Sequence, residues 1–327
     1  MTVLVTGAAG FIGFNTSRLL LERGEKVVGI DNLNDYYDVS LKEARLAILN
    51  EFENFENERA DIADRDAVEG LLSRRSDIDR VIHLAAQAGV RHSLVNPYIY
   101  MHSNLNGHLI LLEACRRLPS LKHFVYASSS SVYGANTKLP FSVEDRVDHP
   151  VSLYAATKKS MEMISESYAS MFGLPLTGLR FFTVYGPWGR PDMAAFIFTR
   201  KILAGEPIEV FNNGDMQRDF TFIDDIVNGV VGCLDGPAQA INGKIPHRVY
   251  NIGNHKSEQL MDYIKILEVC LGRKAIINFQ PMQQGDVKET YADIEATRRD
   301  FGFDPKTSIA EGIPKFINWY REFYGID

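Results

Sequence analysis

Thr6-Gly7-Ala8-Ala9-Gly10-Phe11-Ile12-Gly13, entered from the apolar run Val3-Leu4-Val5, is the stretch on which the fold turns. Ile12, Thr16, Leu19 and Leu20 then recur with helical spacing, so the segment reads as strand, glycine turn, helix. Glycines let the backbone turn tightly and approach a pyrophosphate, and the helix N-terminus that follows offers it unpaired N–H groups and a positive dipole end. A Gly-x-x-Gly-x-x-Gly triplet carries little by itself. The second strand, Lys26-Val27-Val28-Gly29-Ile30, supplies the context, because it ends in Asp31, eighteen residues after Gly13. A carboxylate there accepts hydrogen bonds from an adenosine ribose diol and repels a 2′-phosphate, which predicts NAD and not NADP.

A second constellation lies downstream: Ser128-Ser129-Ser130-Ser131-Val132-Tyr133-Gly134, then Tyr154-Ala155-Ala156-Thr157-Lys158. Four residues apart on a helix, Tyr154 and Lys158 share a face, and the ammonium is expected to lower the phenol's pKa from about 10. A tyrosinate can then take a proton from an alcohol at neutral pH. Tyr-x-x-x-Lys also arises as two solvated helix residues, and it is the phosphate loop that gives this pair weight. The serines directly follow the apolar strand Phe124-Ala127, at the carboxyl edge of a sheet, where folds of this kind bind ligands.

Apolar runs at Val3-Val5, Val27-Ile30, Val81-Leu84, Phe124-Ala127, Leu176-Phe181 and Val249-Ile252 alternate with helical stretches. That alternation predicts an α/β fold with a Rossmann-type, doubly wound parallel sheet. Glycines and prolines crowd residues 186–191, and later elements are shorter. The expected division is an NAD-binding domain over 1–184, to which 219–252 returns, and a smaller α/β substrate domain over most of 185–327. The acidic stretch Asn50 to Glu58 reads as a solvated connection before a strand leading to Asp61. Near the C-terminus, Ser308 and Glu311 form a capping-box pattern ahead of an amphipathic face of Ile309, Ile313, Phe316, Ile317, Tyr320 and Tyr324. Pro314 is expected to interrupt or kink that helix.

With 327 residues, 45% of them apolar, the chain can build one large or two moderate cores. A net charge of −7 argues against a general nucleic-acid binder, so an anionic ligand must find local cations. Cys115, Cys233 and Cys270 are widely spaced and odd in number, which disfavours a disulfide framework or a metal site. The sequence has no basic leader with an apolar core and no 18-residue apolar run, so a soluble, cytoplasmic protein without membrane partners is expected.

Thr-Gly-x-x-Gly-x-x-Gly at 6–13, Asp31, Asp61-Ile62, Leu84-Ala85-Ala86, the serine cluster and Tyr154/Lys158 together resemble the extended short-chain dehydrogenase/reductase superfamily, whose members modify nucleotide sugars. The similarity spans nearly the whole chain. Within the superfamily, Asp31-Asn32-Leu33-Asn34-Asp35-Tyr36-Tyr37-Asp38 and Tyr185-Gly186-Pro187-Trp188-Gly189-Arg190-Pro191-Asp192-Met193-Ala194 most resemble the UDP-glucuronate 4-epimerases. The resemblance implies NAD held by Gly7, Gly10, Phe11, Ile12, Gly13, Asp31, Asn32, Asp61, Ile62, Leu84, Ala85 and Ala86, with Lys158 on the nicotinamide ribose. It implies Ser129 on the reacting sugar oxygen with Ser130 beside it, and Tyr154 removing the 4-hydroxyl proton while hydride leaves that carbon for the nicotinamide.

Return of the hydride to the opposite face of the 4-keto sugar would convert UDP-glucuronate to UDP-galacturonate and regenerate NAD. Dehydrating relatives carry an acidic pair at the positions of Ser130 and Ser131, and decarboxylating relatives usually a glutamate near Ser131. Serine at both positions disfavours elimination and decarboxylation. By the same resemblance Arg218 would grip the UDP pyrophosphate and Asp286 the uridine ribose. Thr183 and Arg190 would offer a hydroxyl and a cation to a sugar carboxylate. Members are usually homodimers. The chief alternative is a 4-epimerase of neutral UDP-hexoses or pentoses. A protein that kept the NAD fold and lost its chemistry is a further one, against which the intact Ser129/Tyr154/Lys158 set stands.

Overall fold

The structure, a computed structural model, describes residues 1–237, 245–283 and 287–326. Its frame is a seven-stranded sheet built from β1 (Thr2–Thr6), β2 (Lys26–Asp31), β3 (Phe55–Arg59), β4 (Arg80–His83), β5 (His123–Ser129), β6 (Leu176–Phe181) and the strand His247–Ile252. Every neighbouring pair is parallel, in the order His247–Ile252, β6, β5, β4, β1, β2, β3. Successive side chains of β1 feed opposite faces. Val3 and Val5 join an apolar cluster with Ile82, Val125 and Leu179, whereas Leu4 joins one with Val28, Val81 and Phe124. A central strand buried on both faces must be apolar throughout, which is why these runs are legible as continuous hydrophobic stretches.

Strand order reverses at β1, with β2 and β3 on one side and β4, β5 and β6 on the other. Thr6 lies in register with both Ile30 and His83, so the carboxyl ends of β1, β2 and β4 open into a common crevice at the reversal. Helix α1 (Phe11–Glu22) leaves the glycine turn there and packs on the helix Ile223–Asp235. Beyond β6 the chain makes a short strand, Thr183–Tyr185, that pairs in parallel with Phe220–Phe222. The pairing brings the 183–194 segment and Arg218 toward the same crevice.

Two expectations need correction. Residues 55–59, assigned to a solvated connection, form β3, an edge strand in which only Phe55 is buried. An edge strand with one face in water needs no apolar run, so its glutamates hid it. The helix Ile309–Tyr324 starts at the expected capping box, with the Ser308 N–H donating to Glu311 at 3.1 Å, but it runs through Pro314 without a break. Packing of Ile313, Phe316 and Ile317 into the core holds the turn whose amide the proline lacks. Among the described residues, no helix is long and apolar enough to cross a membrane.

Candidate active site

A cavity of about 1000 Å³ runs along the carboxyl edge of the sheet. Its wall includes every site residue expected from the sequence except Asp286, which lies outside the described residues.

At one end the glycine turn forms a cradle with no room for side chains. Gly7 has φ +73°, and a Cβ there would lie 2.8 Å from the Ala85 nitrogen; a Cβ on Gly13 would lie 2.0 Å from the Gly7 oxygen. Helix α1 begins at Gly10 without a side-chain cap, which leaves its first N–H groups for a ligand. Asp31 is fixed by two backbone donors, Ala9 N–H at 3.1 Å and Leu33 N–H at 2.9 Å. Asp61 accepts from the Ala63 N–H at 2.8 Å and from Asn32 Nδ2 at 3.0 Å, which joins two of the expected cofactor residues directly. A side-chain-free turn at a helix N-terminus, flanked by an oriented carboxylate, fits a dinucleotide.

In the middle of the cavity, Ser152 caps the helix Leu153–Phe172 by accepting the Ala155 N–H at 3.1 Å. The cap places Tyr154 in the first turn and Lys158 one turn later. Lys158 is buried; its Nζ donates to the Ala127 carbonyl at 2.9 Å, and burial pulls its pKa down from 10.5 to about 7. The expected lowering of Tyr154 by Lys158 is not what this geometry gives. Burial raises the Tyr154 pKa, while a hydrogen bond with Ser129 and the charge of Arg190 pull it the other way. The Lys158 ammonium is directed at a backbone carbonyl, and desolvation of the phenol outweighs the influence of Ser129 and Arg190. The phenol and the Ser129 hydroxyl therefore form a hydrogen-bonded pair facing the cavity, suited to exchanging a proton with a bound hydroxyl.

A buried network holds this pair in place. Ser128 Oγ donates to Glu162 at 2.7 Å, and Arg180 meets both oxygens of Glu162 at 2.9 Å and donates to the Tyr133 hydroxyl at 3.1 Å. The strand end carrying Ser129 is thus tied to the helix carrying Tyr154 by the Ser128–Glu162 bond and by Lys158, and the bidentate Arg180–Glu162 ion pair ties that helix to the neighbouring strand β6.

The wall also holds Thr183, Arg190 and Arg218. Arg190 pairs side-on with Asp192, Nε to Oδ1 at 3.0 Å and Nη2 to Oδ2 at 2.5 Å, and Tyr36 donates to the same carboxylate at 3.1 Å. The Asp192 charge keeps Arg190 protonated against its desolvation. Arg218 Nη1 donates to the carbonyls of Gln217 at 2.8 Å and Lys288 at 3.0 Å.

The profile of the NAD dependent epimerase/dehydratase family matches residues 3–253. The chain belongs to that family. It is 49% identical to UDP-glucuronate 4-epimerase 2 of Arabidopsis thaliana over 334 residues, which covers 99% of this chain and 76% of that protein. Among solved structures it is similar to a UDP-glucuronic acid 4-epimerase from Bacillus cereus in complex with UDP-glucuronic acid and NAD, with 36% identity, a TM-score of 0.90 and coverage of 99% and 100%. It is also similar to a UDP-glucose 4-epimerase from Thermotoga maritima, with 31% identity, a TM-score of 0.87 and coverage of 99% and 100%.

This epimerase-family chain also has site residues that spacing alone did not pick out. Asp192 and Tyr36 meet across 156 residues, although each lies in one of the two strings that carried the resemblance. Asn104 accepts the Gln87 N–H at 2.8 Å, donates back to the Gln87 carbonyl at 3.0 Å, and donates to Thr157 at 3.1 Å. That side chain fixes a wall of the cavity to the Tyr154 helix. Nothing in the sequence around Asn104 marks it.

Proposed function

We propose that the chain is a UDP-glucuronate 4-epimerase that interconverts UDP-glucuronate and UDP-galacturonate with NAD bound throughout. The observation that carries this reading is the meeting, in one cavity, of a dinucleotide cradle, the Ser129/Tyr154/Lys158 set and a charged arginine beside Thr183. Residues 1–184 with 219–252 would bind NAD through Gly7, Gly10, Phe11, Ile12, Gly13, Asp31, Asn32, Asp61, Ile62, Leu84, Ala85, Ala86 and Lys158. Residues 185–327 would mainly bind the UDP-sugar, with Arg218 and Asp286 on UDP. The protein would work as a cytoplasmic homodimer, and light scattering on the purified protein tests the dimer.

NAD, when bound, supplies a hydride acceptor that later returns the hydride, so no external reductant is consumed. The positive charge that bound NAD brings to the cavity would oppose the desolvation of Tyr154 and favour its phenolate, which would take the 4-hydroxyl proton and give it back to the 4-oxygen after the sugar turns over, while Ser129 would hold that oxygen by a hydrogen bond. Ser130 and Ser131 are too weakly acidic to expel a hydroxyl. Oxidation at C4 places a ketone β to the C6 carboxylate, and such an acid loses carbon dioxide when the C5–carboxylate bond aligns with the carbonyl π-system. Thr183 and Arg190 would hold the carboxylate out of that alignment.

Asp192 already neutralises Arg190, and this one observation favours the second reading, a 4-epimerase of neutral UDP-sugars. The deciding experiment is incubation with UDP-glucuronate, and separately with UDP-glucose, without added reductant, followed by separation of the 4-epimers. UDP-galacturonate as the faster product supports the first reading. Faster conversion of UDP-glucose moves the assignment to the second, and no conversion of either by NAD-loaded protein refutes both.

A further inference from the structure

Arg45 is a fully buried cation that the proposed chemistry does not use. It sits on helix α2 (Val39–Leu49), and all its hydrogen-bond acceptors are formally neutral. Nη1 donates to the Ala9 carbonyl at 2.8 Å and to the Tyr37 hydroxyl at 2.9 Å; Nη2 donates to the carbonyls of Trp188 at 2.7 Å and Gly189 at 3.2 Å. Its Nε has no acceptor among the described residues. Burying a guanidinium without a carboxylate partner is costly, so the arrangement calls for a return elsewhere.

The acceptors belong to two segments that otherwise have different tasks. Ala9 lies inside the phosphate loop, and its own N–H is held by Asp31 at 3.1 Å. Trp188 and Gly189 lead directly into Arg190 and Asp192. Trp188 has φ +64°, a conformation that favours glycine, and its ring packs against Phe14 at 5.3 Å, Trp319 at 5.3 Å and Phe323 at 5.1 Å. A bulky residue stays in that region only where its surroundings dictate it. Arg45 takes the carbonyls of this residue and the next, so one planar fork sets the course of the chain into Arg190. Phe14 belongs to helix α1, which gives the same segment a second anchor on the cofactor side.

We propose that Arg45 is a positioning residue that fixes the Arg190 segment against the phosphate loop and thereby places Arg190 for a sugar carboxylate. The proposal rests on the reading of Arg190 as the partner of that carboxylate. A lysine keeps the charge, but its single ammonium cannot span both sets of carbonyls as a fork does.

The test measures calorimetric affinities of NAD-loaded protein for UDP-glucuronate and UDP-glucose, in a Tyr154→Phe background that prevents turnover. Arg45→Lys is expected to weaken UDP-glucuronate by about tenfold or more and UDP-glucose by less than about threefold, since misplacing a recognition group by a fraction of an ångström harms only what it recognises. Tyr37→Phe, which removes one acceptor and keeps the charge, should shift the same ratio by about two- to threefold, and it serves as the readout if Arg45→Lys does not fold. Equal weakening of both sugars, or an unchanged ratio in the folded variants, overturns the proposal. Arg190→Ala run in parallel separates the two ideas. If it collapses the acid preference while Arg45→Lys preserves it, Arg45 alone is misassigned; if Arg190→Ala itself leaves the preference intact, the carboxylate reading falls and the Arg45 proposal with it.

Discussion

Nucleotide-free protein should gain stability as pH rises through and above neutrality, and Lys158 should be the cause. Burial holds its pKa at about 7 in the folded chain against 10.5 ordinarily. Between those values the unfolded chain binds the extra proton and the folded chain does not, so unfolding is increasingly disfavoured as pH climbs across that window. Below about 7 both states are protonated and the full penalty of burying the ammonium remains. A displacement of this size corresponds to roughly 5 kcal/mol over the whole window, of which about 3 kcal/mol falls between pH 6 and pH 9. Lys158→Met removes the titration and keeps a chain of similar length. Urea unfolding of both proteins at pH 6, 7.5 and 9 isolates the effect, because other titrating groups are common to both and cancel to first order. The variant should be the more stable at pH 6, with the gap moving by about 3 kcal/mol in favour of wild type by pH 9. Parallel stability curves for the two proteins would show that the ammonium is not desolvated, and the account of the Ala127 contact would have to be abandoned.

Three further outcomes follow from the site. Tyr154→Phe should lower kcat by about 10²- to 10⁴-fold with little change in UDP-sugar affinity, as steady-state kinetics and calorimetry would report; a near-normal kcat removes Tyr154 from proton transfer. The protein should bind NAD in strong preference to NADP, because a 2′-phosphate would meet the Asp31 carboxylate, already fixed by Ala9 and Leu33; equal calorimetric affinities contradict this. Arg180→Met should cost about 3–5 kcal/mol in urea unfolding, since it strands the buried Glu162 carboxylate, whereas loss of less than about 1 kcal/mol would mean that the pair is solvated in solution.

The sequence displayed what depends on local pattern and concealed what depends on distance or exposure. Central strands are buried on both sides, so their apolar runs stood out; β3 lies at the edge with its glutamates in water and looked like a loop. The glycine turn and the Tyr154/Lys158 pair are short-range motifs with fixed spacing. The contacts that tune them are not: Arg45 reaches Ala9 across 36 residues and Trp188 across 143. The Tyr154 pKa shows the same limit. Helical spacing brings a lysine near a phenol, but how far each is desolvated, and that Lys158 turns to the Ala127 carbonyl, are properties of the packed interior.

An acidic chain that is to hold anions must concentrate its cations, and the cavity does so. Lys42, Arg91, Lys158, Arg190, Lys201 and Arg218 line it, against the carboxylates of Asp31, Asp61, Asp192 and Glu209, in a protein of net charge −7. Two of those carboxylates are each oriented by two nearby donors, Asp31 by the Ala9 and Leu33 N–H groups and Asp61 by Ala63 and Asn32, and each keeps acceptor capacity for a further donor. Asp192 differs, because it meets the very arginine assigned to the sugar. Its two bonds to Asp192 use Nε and Nη2, which leaves Nη1 outside that pair. A sugar carboxylate arriving at Nη1 would therefore add to an oriented pair without displacing Asp192, and orientation in advance lowers the entropic cost of binding. A C6 hydroxyl at the same edge would gain a hydrogen bond without a second charge. Charged hydrogen bonds contribute about 1.5–3 kcal/mol against about 0.5–1.5 for neutral ones, which amounts to roughly a tenfold preference for the acid. On this proposal Asp192 would set the scale of discrimination: it holds the guanidinium in place and, by sharing its charge, would keep the preference modest.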